Sequence, residues 1–417
     1  MRQDCALYTF FDILSTGSEL MNFVFISPHF PSHFWRFCAA LNEKGIKVLG
    51  IADVPHDQLL PELQAALSDY YQVHSLEDGD AVLKAIGWFI HRHGRIDWIE
   101  SNNEYWLTQD AWLRTMFNVT TGPQLVVMDS YKRKSAMKAV YKKAGIMSAP
   151  AIIATTLDDA LGFIKKVGYP LVAKPDTGVG ANDTYQINDE AQLRAFFHKQ
   201  PLRPYLLEQF VNGEICSYDA LIGSQGQPLY ETGNITRVSV MDVVNEKIES
   251  IYMIVPQLAK DLEALGRRTV DAFQVKSRLV HFEFFRLKED QEGLGKKGDL
   301  LGLEVNMRPS GGFTPDMINY AGSVDIHRLF AEMVSQDRVH LVENRKKYFC
   351  VFVGLQDVRA YAHSHQDLIA DWGHRIVHHD RMPEALSGAM GNQIYLAQCL
   401  SRDEVDAFVA YACERQP

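Results

Sequence analysis

Glu304, Asn306 and Arg308 stand two residues apart with apolar Val305 and Met307 between them, and Pro309-Ser310-Gly311-Gly312 follows. Alternate side chains of a strand point to opposite faces, so this run predicts a strand with one polar row and one apolar row. A solvated edge strand would alternate too, but seldom sets Glu-x-Asn-x-Arg directly before a Gly-Gly turn. Upstream, His281, Glu283 and Phe285 share a face of a second strand. If the two strands pair as a hairpin, Glu283 can face Glu304. Two carboxylates and an amide oxygen are hard ligands suited to magnesium, which also binds phosphates. Arg308 adds a planar cation for charge that develops during phosphoryl transfer.

Two further segments suggest nucleotide chemistry. In YPLVAKPDTGVGANDT (169–184), a strand carrying Lys174 runs into a loop with Gly178 and Gly180. Such a loop lets backbone N–H groups approach phosphates while the lysine neutralises them, although a plain hairpin with an exposed lysine reads the same way. Neither GxxxxGK[ST] nor GxGxxG is present. In LLEQFVNGEICSYD (206–219), the stretch Glu208-Gln-Phe210-Val211 can serve as a connector whose backbone reads an adenine edge. Glu214 then lies within reach of ribose hydroxyls; a routine strand and turn is the alternative.

From Asn22 onward short apolar runs alternate with helical segments, which predicts a parallel, doubly wound sheet to about residue 125. Ser130 can cap a helix that carries Met137, Val140 and Tyr141 on one face. A compact α+β unit follows, then longer strands and a C-terminal stretch with its own hydrophobic segments. These readings divide the chain into an extension (1–20), a first domain (21–125), a linker helix and lid (126–213), a catalytic unit (214–335) and a small C-terminal subdomain (336–417).

Composition narrows the function classes. A formal net charge of −10 disfavours a broad nucleic-acid surface. No apolar run approaches the roughly 20 residues that cross a bilayer, so no membrane span is expected. Six cysteines without close pairing fit reduced thiols and a cytoplasmic protein. Glu104 in SNNEYWL (101–107) follows a strand end, where it could meet substrate or cap the next helix. His363, His365, His374, His378 and His379 have no spacing that fits a tight metal site and read as a solvated surface.

Together these segments resemble the ATP-grasp superfamily over about residues 22–335, in particular carboxylate–amine ligases and single-copy proteins similar to carbamoyl-phosphate synthase. The resemblance implies an α/β and α+β chain: an N-terminal Rossmann-like pre-ATP-grasp domain, a lid subdomain and a grasp domain, with the small α+β subdomain after them. It implies ATP and Mg2+ as cofactors, with Lys134 and Lys174 on the phosphates. Gly178 and Gly180 would then lie in the lid loop. Glu208, Phe210, Val211 and Glu214 would hold adenosine; Glu283, Glu304 and Asn306 would hold magnesium; Arg308 would stabilise the phosphoryl group. Lys132 lies near the first lysine position, but Lys134 brings SAMKAVYKKAGI into register. The reaction implied is ADP-forming activation of a small carboxylate as an acyl phosphate for attack by an amine, less often a thiol. Such an enzyme would need small-molecule partners only, and a homodimer is compatible with it. An ATP-grasp kinase, a carboxylase-type enzyme and a non-catalytic nucleotide-binding regulator are the rival readings. Carbamoyl-phosphate synthase has two tandem copies of this unit and this chain has one. Its glycine loop is also poorer than that of biotin carboxylase.

Overall fold

Three sheets organise the chain, in a computed structural model that describes residues 20–178, 183–199, 204–238, 243 and 246–416. Residues 1–19 and Gly180 lie outside the described residues. The first sheet contains β1 (Asn22–Ile26), β2 (Lys47–Ala52), β3 (Asp69–Gln72) and β4 (Trp98–Glu100), in the order β3-β2-β1-β4 with every pair parallel. Its strands read as unbroken apolar runs because both faces are covered. Phe23 and Phe25 pack towards Phe37 and Leu41 of helix Trp35–Glu43. Val24 and Ile26 pack towards Val82, Ile86 and Phe89 of helix Gly79–His93. Asp78 caps that second helix and Gly94 ends it at φ +84°.

The second sheet is antiparallel and comprises β5 (Ala151–Ile153), β6 (Leu171–Pro175), β7 (Tyr185–Ile187) and β8 (Tyr205–Gln209), ordered β5-β8-β6-β7. Leu171, Ala173 and Leu207 turn to one side, against Phe163 and Leu193 of helices Leu157–Val167 and Glu190–His198. Val172, Lys174 and Glu208 occupy the other side. Here the helices supply the hydrophobic layer that a small four-stranded sheet needs.

Eight antiparallel strands form the third sheet. They are β9 (Gly213–Ile222), β10 (Pro228–Thr236), β11 (Ser250–Ile254), β12 (Arg278–Leu287), β13 (Leu300–Asn306), β14 (Phe349–Leu355), β15 (Ile376–Arg381) and β16 (Gln393–Cys399), ordered β13-β12-β9-β10-β11-β14-β16-β15. The C-terminal strands β14–β16, expected as a separate subdomain, extend this sheet through β11. Val280, Phe282, Phe284, Val305 and Met307 bury one face against Met137 and Tyr141 of helix Lys134–Lys143 and Leu265 of helix Lys260–Ala272. Leu303 is the extra residue of a bulge, since Glu283 pairs with Glu304 and Phe284 with Gly302. The bulge turns Gly302 to the core, where an added Cβ would meet the Tyr141 ring at 2.8 Å, while Glu304 stays on the opposite face.

Ser130 does not begin the helix bearing Tyr141. It lies inside a separate short helix, Met128–Lys132, where its hydroxyl donates to the Val127 carbonyl. Asp176 instead caps helix Lys134–Lys143 from outside, accepting from Ser135 N–H at 2.8 Å and Ser135 Oγ at 2.9 Å.

The first domain is welded to the third sheet. Phe37 and Phe330 meet edge to face at 5.3 Å between helices Trp35–Glu43 and Ile326–Gln336. Glu100, at the end of β4, is 2% exposed and binds Arg114 at 2.8 Å and Arg278, from β12, at 3.2 Å. Burial alone would push the Glu100 carboxyl up, but the two guanidinium groups hold it below the usual range. Among the described residues no helix is long and apolar enough to cross a membrane.

Removing one partner of a buried ion cluster leaves the others uncompensated, at a cost of about 3–5 kcal/mol. Glu100→Ala is therefore expected to lower unfolding stability by about 3 kcal/mol or more. Urea denaturation checks this, and a loss below about 1 kcal/mol would rule out a tie of that strength.

Candidate active site

Between the second and third sheets lies a cleft of about 990 Å³. Its floor is the polar face of β9, β12 and β13, where cross-strand pairing arranges two rows. Ser217, Glu283 and Glu304 form one row, and Asp219, His281 and Asn306 form the other. The hairpin expected from the sequence is present, and it places Glu283 directly opposite Glu304. Directly opposed like charges repel, so the arrangement needs cations nearby.

Those cations come from three directions. Lys134, at the start of its helix, reaches Glu304 Oε1 at 3.1 Å and donates to the Gly178 carbonyl at 3.1 Å. Burial pushes the Glu304 carboxyl up; Lys134 pulls it back and Glu283 pushes it further, leaving it raised. His281 stands between Asp219 (Nδ1–Oδ1, 2.7 Å) and Glu283 (Nε2–Oε1, 3.6 Å). Burial opposes its charge, yet the two carboxylates outweigh burial and raise the imidazole to about 10. Glu283 moves down accordingly: burial would raise it, but His281, Arg308 and Lys134 prevail.

The roof is the second sheet. Lys174 Nζ lies 2.5 Å from Glu208 Oε2, and Lys138 pairs with the other oxygen of the same carboxylate. Burial works against the Glu208 charge, and Lys138 and Lys174 overcome it. Gly178, at φ +138°, begins the loop beyond Lys174 in a conformation that side chains rarely adopt.

Phe210 and Val211 join the two sheets. Phe210 N–H donates to the Pro170 carbonyl at 3.2 Å, and Val211 packs with Leu287, Leu294 and Leu301. The next residue, Asn212, exchanges hydrogen bonds of 2.9 and 2.8 Å with the Gln291 amide. Glu214, the second residue of β9, lies across from Arg286 and borders the cleft. Arg308, just past β13, lies 3.6 Å from Glu104 and donates to the Pro309 carbonyl at 2.8 Å. All the described residues expected in the site thus line this cleft.

Several participants were not singled out from sequence. Lys138 sits one turn after Lys134, a spacing that puts both on one helix face. Asp219 follows Ser217 at strand spacing, the same signal that marked Glu304 and Asn306. Glu104 does not cap helix Leu107–Met116, whose cap residue is Trp106 with no side-chain bond. It binds Lys132 at 3.0 Å as well as Arg308, so Lys132 serves Glu104 and Lys134 serves the carboxylate pair. The C-terminal histidines do not form one cluster. His365 meets His379 edge to face at 4.9 Å and bonds the Tyr395 hydroxyl, while His363 stacks on Tyr411 and His378 meets Phe313. Among the described residues no group of three or more His, Cys, Asp or Glu side chains is arranged to hold a metal unaided.

No protein-family model matches the chain. An L-arginine-specific L-amino acid ligase of Bacillus subtilis is 25% identical over 249 residues, which span only 57% of this chain and 57% of that protein. Among solved structures, an L-amino acid ligase from Bacillus licheniformis matches with a TM-score of 0.69 at 16% identity, covering 94% of this chain and 97% of that one. An N5-carboxyaminoimidazole synthetase from Staphylococcus aureus matches at 0.67 and 16% identity, covering 95% and 98%. The biotin carboxylase domain of Hydrogenobacter thermophilus 2-oxoglutarate carboxylase, in complex with MgADP and bicarbonate, matches at 0.64 and 16% identity, covering 91% and 87%. The likeness to these three solved structures, each at 16% identity, is one of overall fold.

Asp176 ties the lysine-bearing helix to the strand that carries Lys174. Loss of a helix-capping acid costs about 1–2 kcal/mol. Asp176→Ala should lower stability by about that amount, because Ser135 and Arg133 lose their carboxylate partner. Urea denaturation checks this.

Proposed function

We propose that this chain, whose fold is that of the ATP-grasp ligases, activates a small carboxylate with ATP and joins it to an amine. The observation that carries the proposal is the opposed pair Glu283 and Glu304, with Asn306 beside them and Lys134, Lys174 and Arg308 around one cleft. The names of two relatives, both amino-acid ligases, favour an amino acid as a substrate.

The residues fit magnesium. Glu283, Glu304 and Asn306 are hard oxygen donors brought together on one sheet face by the pairing of β12 and β13. When bound, the ion neutralises phosphate oxygens that gain charge during transfer. Lys134 and Lys174 would leave their carboxylate partners to contact phosphates, and Phe210–Val211 would border the adenine. A carboxylate oxygen of the substrate bonds to the γ-phosphorus as the bond to the ADP oxygen breaks. The amine nitrogen then attacks the acyl carbon, phosphate departs and the nitrogen loses a proton. Carboxylate alone is a poor acyl donor because its leaving group would be oxide. The protein's contribution is positioning, charge neutralisation and exclusion of water, which would hydrolyse the intermediate.

Hydroxylamine supplied with the right acid and Mg-ATP should yield a hydroxamate together with ADP. Formation of AMP and pyrophosphate would point to adenylate chemistry and overturn the mechanism.

Arg308 stands two residues beyond Asn306, beside the same cleft. Its planar fork matches phosphate oxygens in a way that lysine cannot. Arg308→Lys should keep ATP affinity within a few-fold and lower kcat about a hundredfold, near 3 kcal/mol. Equilibrium binding alongside steady-state turnover separates the two effects, and near-normal kcat would make Arg308 a binding residue only.

A further inference from the structure

The two carboxylates on the cleft floor are supported differently. Glu304 meets Lys134, which comes from a helix outside the sheet. Glu283 meets His281, its neighbour two residues back on the same strand. Behind His281 stands Asp219, directly across on β9, and behind Asp219 stands Ser217, whose hydroxyl donates to Asp219 Oδ2. Asp219 and Ser217 are each 3% exposed, and His281 is 9% exposed.

From this chain we infer that Ser217, Asp219 and His281 are positioning residues that hold Glu283 ready to bind the metal. The proposal rests on the reading of Glu283 as a magnesium ligand. Ser217 occupies one oxygen of Asp219 and so turns the other towards His281 Nδ1. That bond fixes the plane of the ring, which sends Nε2 towards Glu283 Oε1. Glu283 Oε2 has no protein partner among the described residues. At 3.6 Å Nε2 and Oε1 form an ion pair rather than a hydrogen bond, so His281 biases the Glu283 carboxylate towards one orientation and leaves Oε2 open to a cation. Partners behind a ligand commonly change metal affinity 10–100-fold, because they set its orientation and charge. Ser217 and Asp219 lie on the same sheet face one strand further in, on β9, which supplies no ligand in this reading. Only their contacts with the β12 side chain bring them into the site.

The test is Mn2+ binding in the presence of ADP, followed by electron paramagnetic resonance of the free ion, with metal-free ADP affinity measured in parallel. Asp219→Asn should weaken Mn2+ about tenfold and leave metal-free ADP affinity within about twofold. Ser217→Ala, which removes a single oxygen, should weaken Mn2+ to a smaller degree and serves if Asp219→Asn does not fold. Glu283→Gln is the reference and should lose most Mn2+ binding. If Glu283→Gln loses Mn2+ while Asp219→Asn and Ser217→Ala bind it as the unmodified protein does, the positioning role is wrong and the ligand reading stands. Unchanged Mn2+ binding in Glu283→Gln would remove the ligand reading itself. Equal loss of Mn2+ and metal-free ADP in Asp219→Asn would make Asp219 a packing residue and overturn the proposal.

Discussion

Glu283 and Glu304 are held side by side because β12 and β13 pair in one register, and the rest of the cleft answers that concentration of negative charge. Two carboxylates facing each other on a partly buried sheet are unfavourable unless cations stand close by. Lys134 and His281 supply them from opposite sides, and Arg308 lies beyond. The Leu303 bulge matters for the same reason. It lets Gly302 close against Tyr141 while Glu304 still faces the cleft, so helix Lys134–Lys143 can approach near enough for Lys134 to reach the pair.

Charge is balanced in the same way on the roof, with the signs reversed. Lys138 and Lys174 both lean on Glu208, so two ammonium groups share one buried carboxylate. That leaves the roof with one more ammonium than carboxylate, facing the opposed Glu283 and Glu304 on the floor. In the proposed function a polyphosphate carrying a divalent cation would meet both surfaces at once, phosphate towards the roof and metal towards the floor. Asp176 and the Asn212–Gln291 pair keep the roof attached at its two ends, one by capping a helix and the other by clamping the connector.

The first domain closes the remaining side. Glu100 ends β4 inside a buried cluster with Arg114 and Arg278, and Arg278 also donates to the Met307 carbonyl at 2.8 Å. The segment that follows Glu100 therefore arrives at a defined place, and Glu104 reaches Lys132 and Arg308. The carboxyl ends of parallel strands are where open α/β sheets bind ligands, and here that edge becomes one wall of a cleft whose floor belongs to another sheet.

Much of this was legible in the residue pattern. Periodicity of two in Glu304-Val-Asn-Met-Arg308 and His281-Phe-Glu283 determined which side chains share a face, because a strand has only two faces. Unbroken apolar runs after Asn22 marked a parallel sheet, since only strands covered on both sides tolerate them. Local pattern could not reveal partners distant in sequence. Asp219 looked like any polar strand residue until β9 paired with β12, and Asp176 became a helix cap only through a fold that returns it to Ser135. Ser130 misled for the mirror reason: a hydroxyl before a helical run suits a cap, but the helix is interrupted at Arg133, which is extended, and the cap comes from elsewhere. The C-terminal strands looked separate because sheet membership depends on hydrogen bonds between distant segments, which leave no mark within each segment. The sequence by itself thus determined which groups face a common side and what chemistry their types allow. Only the tertiary structure decided which charges meet, because pairing across strands and between domains is set by packing and register rather than by neighbours in the chain.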